Sequence, residues 1–273
     1  MSTPENQPVQ AAAAEASLSA AVSPATVAPA WHTIVLIAAI LALSATGAAR
    51  LPGSHGAVHR IATYGLTMAM EMVLFAWVLV GLRLKRTSLR SLLGTNANDL
   101  RSIALDLGIA VVFWIGSLMV LGTLAIAWSG IEAAVTHRPL LSPSGQPTAS
   151  QERTLHTLLQ LAPSNAEEMA AWALLCIVAG FVEEAVFRGY LQRQFSAWGK
   201  GSAAAGVVFS ALMFGAGHGY EGLRAMFLIT VFGVLFSLLV LVRGSLRPGI
   251  VAHISHDLFA GLTLALLKSR HLI

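Results

Sequence analysis

Charge is what this sequence has least of. Only 11% of its 273 residues are Asp, Glu, Lys or Arg, while 56% are hydrophobic and the mean hydropathy is +0.71. So little charge cannot clothe one or two soluble domains, and the chain reads as a polytopic membrane protein. Cysteine is scarcer still. Cys176 stands alone inside an apolar run, which excludes an intrachain disulfide and a thiolate metal cluster and leaves the redox compartment unreadable. Basic residues are missing from the start of the chain, where the first is Arg50. Without a basic n-region, the first apolar segment is expected to be a retained span rather than a secretory signal. The excess of 17 Lys+Arg over 13 Asp+Glu gives a formal charge of +4 and a pI near 9.7. In a membrane protein such an excess belongs to cytoplasmic loops, and no nucleic-acid partner is expected.

What is present is a series of apolar runs. A helix crossing the hydrocarbon core needs about 20 mostly apolar residues. Seven segments meet or approach that length: 31–49, 57–82, 103–128, 166–187, 202–217, 223–242 and 248–267. The fifth is short, and the fourth extends as helix to about Gln194. An all-α bundle of about seven transmembrane helices, or eight, is the expected fold. Residues 1–30 are rich in Ala, Pro, Ser and Gln with Glu5 and Glu15 as their only charges, and read as a disordered tail. The Pro, Ser and Gly cluster within 130–165 marks the longest loop. It separates a three-span region, 31–129, from a four-span region, 166–273. The end of this loop, "SQERTLHTLLQL", has the pattern of a short interfacial helix. Ser164 or Asn165 then offers an N-cap, with Glu167 and Glu168 in the first turn. Arg83, Lys85, Arg86, Arg90, Arg101, Arg188, Arg193, Lys200, Arg243 and Arg247 fall on one side if seven spans alternate. That places the N-terminus in the cytoplasm and the C-terminus outside a cell membrane.

Ionisable residues within spans are expensive and therefore informative. Glu71 and Asp106 are single acids that can pair with a basic group or face a water-filled cavity. The C-terminal half carries more. In "FVEEAVFRGY", Glu184 and Arg188 are four apart, so they share a helical face and can neutralise one another. Glu183 is rotated by roughly 100 degrees and free to point elsewhere. That division suggests a structural second glutamate and a reactive first one. "FSALMFGAGHGYEG" brings His218, four residues after Phe214 and behind small residues that allow close helix approach. "RPGIVAHISHDLFAG" brings His253 and Asp257 onto one face, with His256 at its border. A His–Asp pair can orient an imidazole, ligate a metal or move protons. At about 1.5 Å per residue, Glu183 lies roughly 16 Å from the Gln194 end, His218 about 24 Å from Ser202 and Asp257 about 14 Å from Pro248, so tilted helices can bring the three together.

In this order, "EEAVFR", "FGAGH" and "HISHD" resemble the EExxxR, FxxxH and Hxxx(N/D) motifs of the CPBP intramembrane proteases. That group includes the type II CAAX prenyl endopeptidases and bacterial bacteriocin-processing or self-immunity proteins. The resemblance covers about residues 166–267. It implies a helical membrane fold whose last four helices enclose a polar cavity, and peptide-bond hydrolysis by an activated water. Glu183 then matches the water-activating glutamate and His218 its partner. His253 and Asp257 match the oxyanion-stabilising pair, and Glu184 and Arg188 the structural ion pair. The chain departs from the characterised CAAX endopeptidases at Asp257, where they carry Asn. An ionised aspartate accepts hydrogen bonds but donates none. Asp257 is therefore protonated, or supports His253, or belongs to a cation site.

The family is often labelled metalloprotease, yet a metal-free glutamate mechanism is also argued for it. Glu183, His218, His253 and Asp257 suit either a zinc ion or a held water, so no cofactor is assigned and zinc stays open. The expected partners are the lipid bilayer and a membrane-associated peptide or protein substrate, and the sequence gives no oligomeric state. The alternatives are a non-catalytic immunity-type protein that binds a toxic peptide or envelope partner, and, ranked last, a proton-coupled transporter. The last lacks the paired repeat and the broken helices that mark transporter sites.

Overall fold

The computed structural model describes residues 25–50, 59–94, 99–137 and 149–270. These residues form helices and turns, with no extended strand among them and one isolated bridge between Gly94 and Ser245. Helices α1 (Ala30–Arg50), α2 (Arg60–Leu84) and α4 (Leu100–Thr136) make the first three spans, with a one-turn α3 (Leu89–Leu93) between the second and third. After the short α5 (Ala149–Leu161), α6 (Ala166–Glu183) runs without a break into a π-helix (Glu184–Leu191) and α7 (Gln192–Trp198). The 15-residue α8 (Ala203–Gly217), a single 3₁₀ turn (Gly219–Glu221), α9 (Leu223–Arg243) and α10 (Arg247–Ser269) complete the chain. Among the described residues six helices are long and apolar enough to cross a membrane, and α8 is a shorter apolar helix, as its sequence expects. Large apolar side chains such as Val73, Val112, Met119, Ile126 and Val242 stand exposed around the bundle, as lipid-facing residues do.

Two expectations are adjusted. The third span does not end at Trp128: "GIEAAVT" contains no helix breaker, so α4 runs 37 residues, to Thr136, and stops only where His137 turns left-handed, two residues before Pro139. Within the 130–165 loop α5 forms as the amphipathic pattern suggests, and the Pro, Ser and Gly cluster at 138–148 lies outside the described residues. Most of the 1–30 tail also lies outside them, but its last residues are packed. Val27 and Ala28 are buried, and their N–H groups donate to Gln194 Oε1 at 3.0 and 3.3 Å while Gln194 Nε2 donates to Ala28 O at 3.0 Å. This amide clamp, supplied from 166 residues away, supplies backbone partners that composition does not reveal.

The core lies where α1, α2 and the π-helix meet, around Leu36, Val78, Leu82, Val186 and Tyr190. Inside it, His32 Nε2–H donates to Trp77 O at 2.9 Å. Its Nδ1 accepts from the Tyr190 hydroxyl at 2.8 Å, and Gly81 leaves room for the ring. A carbonyl can only accept, so the Trp77 bond places a proton on Nε2, and the two bonds together join three helices.

At the basic end, Asp106 of α4 is fully buried and takes Arg243 Nε at 2.6 Å and Arg247 Nη1 at 2.9 Å, which pins the α9–α10 turn to α4. Leu246 N–H also donates to Leu93 O at 2.9 Å, fastening the same turn to α3. The turn sets where α10 begins, six residues before His253. Asp106→Ala removes both charge-assisted bonds and is expected to cost about 2–3 kcal/mol, since the half-exposed arginines recover some hydration. The check is the melting temperature in detergent, which should fall; an unchanged value contradicts the clamp.

Candidate functional site

The first motif is positioned from the start of α6. Asn165 caps that helix by accepting from Glu168 N–H at 2.8 Å, and the Glu168 carboxylate accepts from Ser164 N–H at 2.7 Å. The first bond satisfies a donor that the helix start leaves free, and the second ties the residue before the cap to the first turn. Glu183 is then the last α-helical residue, and the wider π-helix takes over at Glu184. Long π segments are rare and concentrate at functional sites.

The third motif reaches the first because α6 and α10 pack closely. A Cβ on Gly180 would stand 2.6 Å from Ile254 Cγ1, and one on Gly249 would stand 3.2 Å from Glu184 Oε2. Small residues at such a crossing let membrane helices approach. Consequently Glu184 has two partners. Its Oε1 lies 3.1 Å from Arg188 Nη1 and accepts from His253 Nδ1–H at 3.1 Å. Glu184 and Arg188 side chains are wholly buried. The Glu184–Arg188 contact is ionic rather than a directed hydrogen bond, and the guanidinium carbon sits 4.1 Å from the Phe214 ring centroid and 5.0 Å from that of Phe236. Cation–π contact thus covers a charge that water does not reach.

With Nδ1 committed to Glu184, the Nε2 edge of His253 faces Glu183 Oε2 at 3.6 Å and Asp257 Oδ2 at 3.7 Å. Both separations are within ion-pair range and longer than a direct hydrogen bond. Exposure divides the cluster: His253 is 6% exposed and Glu184 not at all, whereas Glu183 is 14% and Asp257 30% exposed. The anchoring carboxylate is closed off, and the other two border an accessible edge. Trp172 Nε1–H donates to Asp257 O at 3.2 Å and holds α10 at that level.

His218 caps α8. Its Nδ1–H donates to Phe214 O at 2.9 Å, which leaves Nε2 as an acceptor, and its ring lies 5.0 Å from Phe214 and 6.2 Å from Tyr220. It stands within electrostatic reach of Asp257 and Glu221, but makes no ion pair with Glu183. Three of the sequence-derived residues, Glu183, Glu184 and Asp257, thus surround the His253 imidazole, with Arg188 behind Glu184 and His218 within electrostatic reach of Asp257.

Two contributions come from the N-terminal half. Glu71 lies within electrostatic reach of Glu183 and His253. The sequence signal for it is its place on the stripe Tyr64, Phe75, Val78 and Leu82, which α2 buries. Ser44 of α1 donates to Ala216 O at 2.7 Å and accepts from Gly219 N–H at 3.0 Å, bracing the end of α8; no sequence pattern announces this. In the turn that follows His218, burial raises the Glu221 carboxyl above its ordinary range, with His218 opposing it.

Among the described residues no group of three His, Cys, Asp or Glu side chains is placed to hold a metal ion.

A bundle of apolar helices enclosing a Glu–His–Asp cluster defines a multi-pass membrane protein with a buried polar site. Residues 165–259, a little over a third of the chain, match the family model for type II CAAX prenyl endopeptidase Rce1-like proteins. All three motifs lie inside that segment. No curated protein and no solved structure matches the chain.

The two adjacent glutamates are expected to behave oppositely. Glu184→Ala leaves Arg188 buried and unpaired and is expected to cost about 3–5 kcal/mol. Glu183→Ala removes no hydrogen bond and should leave the melting temperature near the wild-type value. Equal losses in the two variants contradict the division of labour.

Proposed function

We propose that this chain is a membrane-embedded endopeptidase that hydrolyses a peptide bond in a membrane-associated substrate, with Glu183 as general base. The observation that carries this reading is the asymmetry of His253. One edge is anchored on the buried Glu184, and the other is presented to Glu183 Oε2, a buried oxygen with no hydrogen-bond partner, and to the part-exposed Asp257. A structural ion network needs only the first half of that arrangement.

The chemistry follows from the atoms at the Nε2 edge. Glu183 accepts a proton from water as the water oxygen attacks the scissile carbonyl carbon. His218, whose Nε2 is a free acceptor, holds the second water hydrogen. The carbonyl oxygen gains negative charge, and His253 carrying a proton on Nε2 donates to it. Collapse breaks the C–N bond, and Glu183 returns its proton to the leaving amine. General base catalysis of this kind contributes about 10²–10⁴-fold, and a positioned oxyanion donor about 10²–10³-fold. Low local dielectric strengthens both. Asp257, on the same side of the imidazole as Glu183, keeps His253 oriented and charged, a role Asn fills in part by its side-chain oxygen.

The test uses purified protein in proteoliposomes with a library of membrane-anchored peptides, read by mass spectrometry of the products. Glu183→Gln is expected to lower cleavage at least about 10²-fold with the fold intact, and His218→Ala to lower it by a similar factor. Asp257→Asn should keep cleavage within about tenfold of wild type, because His253 keeps its Glu184 anchor. Undiminished cleavage by Glu183→Gln contradicts the mechanism. Binding of a peptide without any cleavage by the wild type favours an immunity-type protein.

A further inference from the structure

A cavity lies at the basic end of the bundle, outside the Glu183–His253 cluster. It encloses about 770 Å³ among the ends of α2 and α9, the loop around α3, and the outer face of the π-helix and α7. Lys85 and Arg193 line it, as does Arg188, whose charge is already committed to Glu184. No Asp or Glu appears among the described residues of the lining. Arg193 gives Nη2 to Leu92 O at 3.3 Å, which fixes the guanidinium at the wall. The hydroxyls of Thr87, Ser91 and Ser196 share the lining. The remaining walls are apolar, formed by Leu92, Leu93, Val240, Leu241 and Leu246. They are held in place by the Leu246–Leu93 hydrogen bond and by the left-handed Gly94, where a Cβ would meet Gly244 O.

Two cations, several hydroxyls and an apolar wall at a helix-bundle end match the chemistry of a phosphate-bearing amphiphile. A free phosphate would use only the polar part of a cavity far larger than itself. Apolar walls beside the cations suit the glycerol and first acyl carbons of a lipid. Basic pockets between membrane helices at the positively charged end are where anionic headgroups bind. Exposed Arg83, Arg86 and Arg90 at the same end add attraction without lining the cavity. We propose that this cavity binds the headgroup of an anionic phospholipid from the adjacent leaflet, with Lys85 and Arg193 on the phosphate and the leucine wall on the lipid stem. The proposal is independent of the endopeptidase reading.

The experiment is native mass spectrometry of full-length protein released from nanodiscs of phosphatidylcholine alone or mixed equally with phosphatidylglycerol. Wild type is expected to retain phosphatidylglycerol in preference to phosphatidylcholine. Lys85→Gln and Arg193→Gln should each lower that preference about fivefold, while Arg90→Gln, an exposed charge outside the cavity, leaves it unchanged. If Arg193→Gln weakens the fold by freeing Leu92 O, the exposed Lys85 variant carries the comparison alone. Equal retention by all variants overturns the site. An equal loss in Arg90→Gln overturns it in favour of general surface charge. Displacement of the lipid by inorganic phosphate overturns the lipid assignment in favour of a soluble anion.

Discussion

The structure depends on one carboxylate oxygen. Glu184 Oε1 is shared between the Arg188 guanidinium and the His253 imidazole at the centre of an apolar bundle. Holding charges there is costly, so the arrangement persists only because each is matched: Glu184 by two positive or donating partners, Arg188 by one anion and three aromatic rings. What that oxygen accomplishes beyond neutrality is geometric. By taking His253 Nδ1, it points the other ring edge toward Glu183 and Asp257, and every chemical property of the site follows from that orientation.

The rest of the bundle holds this oxygen and this ring in register. Gly180 and Gly249 let α6 and α10 approach closely enough for the Glu184–His253 bond. Asp106 ties the start of α10 to α4, and Ser44 ties the end of α8 to α1. The segment 165–259 carries the motifs, but α1, α2 and α4 brace it and deliver Glu71 to its edge. The N-terminal half is therefore part of the site's construction rather than a separate anchor.

The spans were legible because hydrocarbon demands a nearly unbroken run of apolar residues, and few other constraints compete with that one. The Glu184–Arg188 pair and the His253–Asp257 face were legible because helical periodicity alone brings residues four apart together. What stayed hidden required tertiary distance. The Glu184–His253 bond spans 69 residues and the Gln194 clamp on Ala28 spans 166, and no local pattern encodes either. The π-helix was also unreadable, since "EAVFRGYL" has the propensities of an ordinary α-helix. His218 was found as a motif residue, but its bond to Phe214 O, which decides which nitrogen is free, depends on its place at the end of α8.

Glu183, left out of the buried bonding network, is proposed as the group that does the chemistry. Comparative peptidomics of membranes from cells producing the wild-type chain or Glu183→Gln at matched levels tests it most directly. A set of new peptide termini, from membrane-associated proteins, is expected to be present with the wild type and missing with the variant. Identical sets of termini in the two membranes would contradict it.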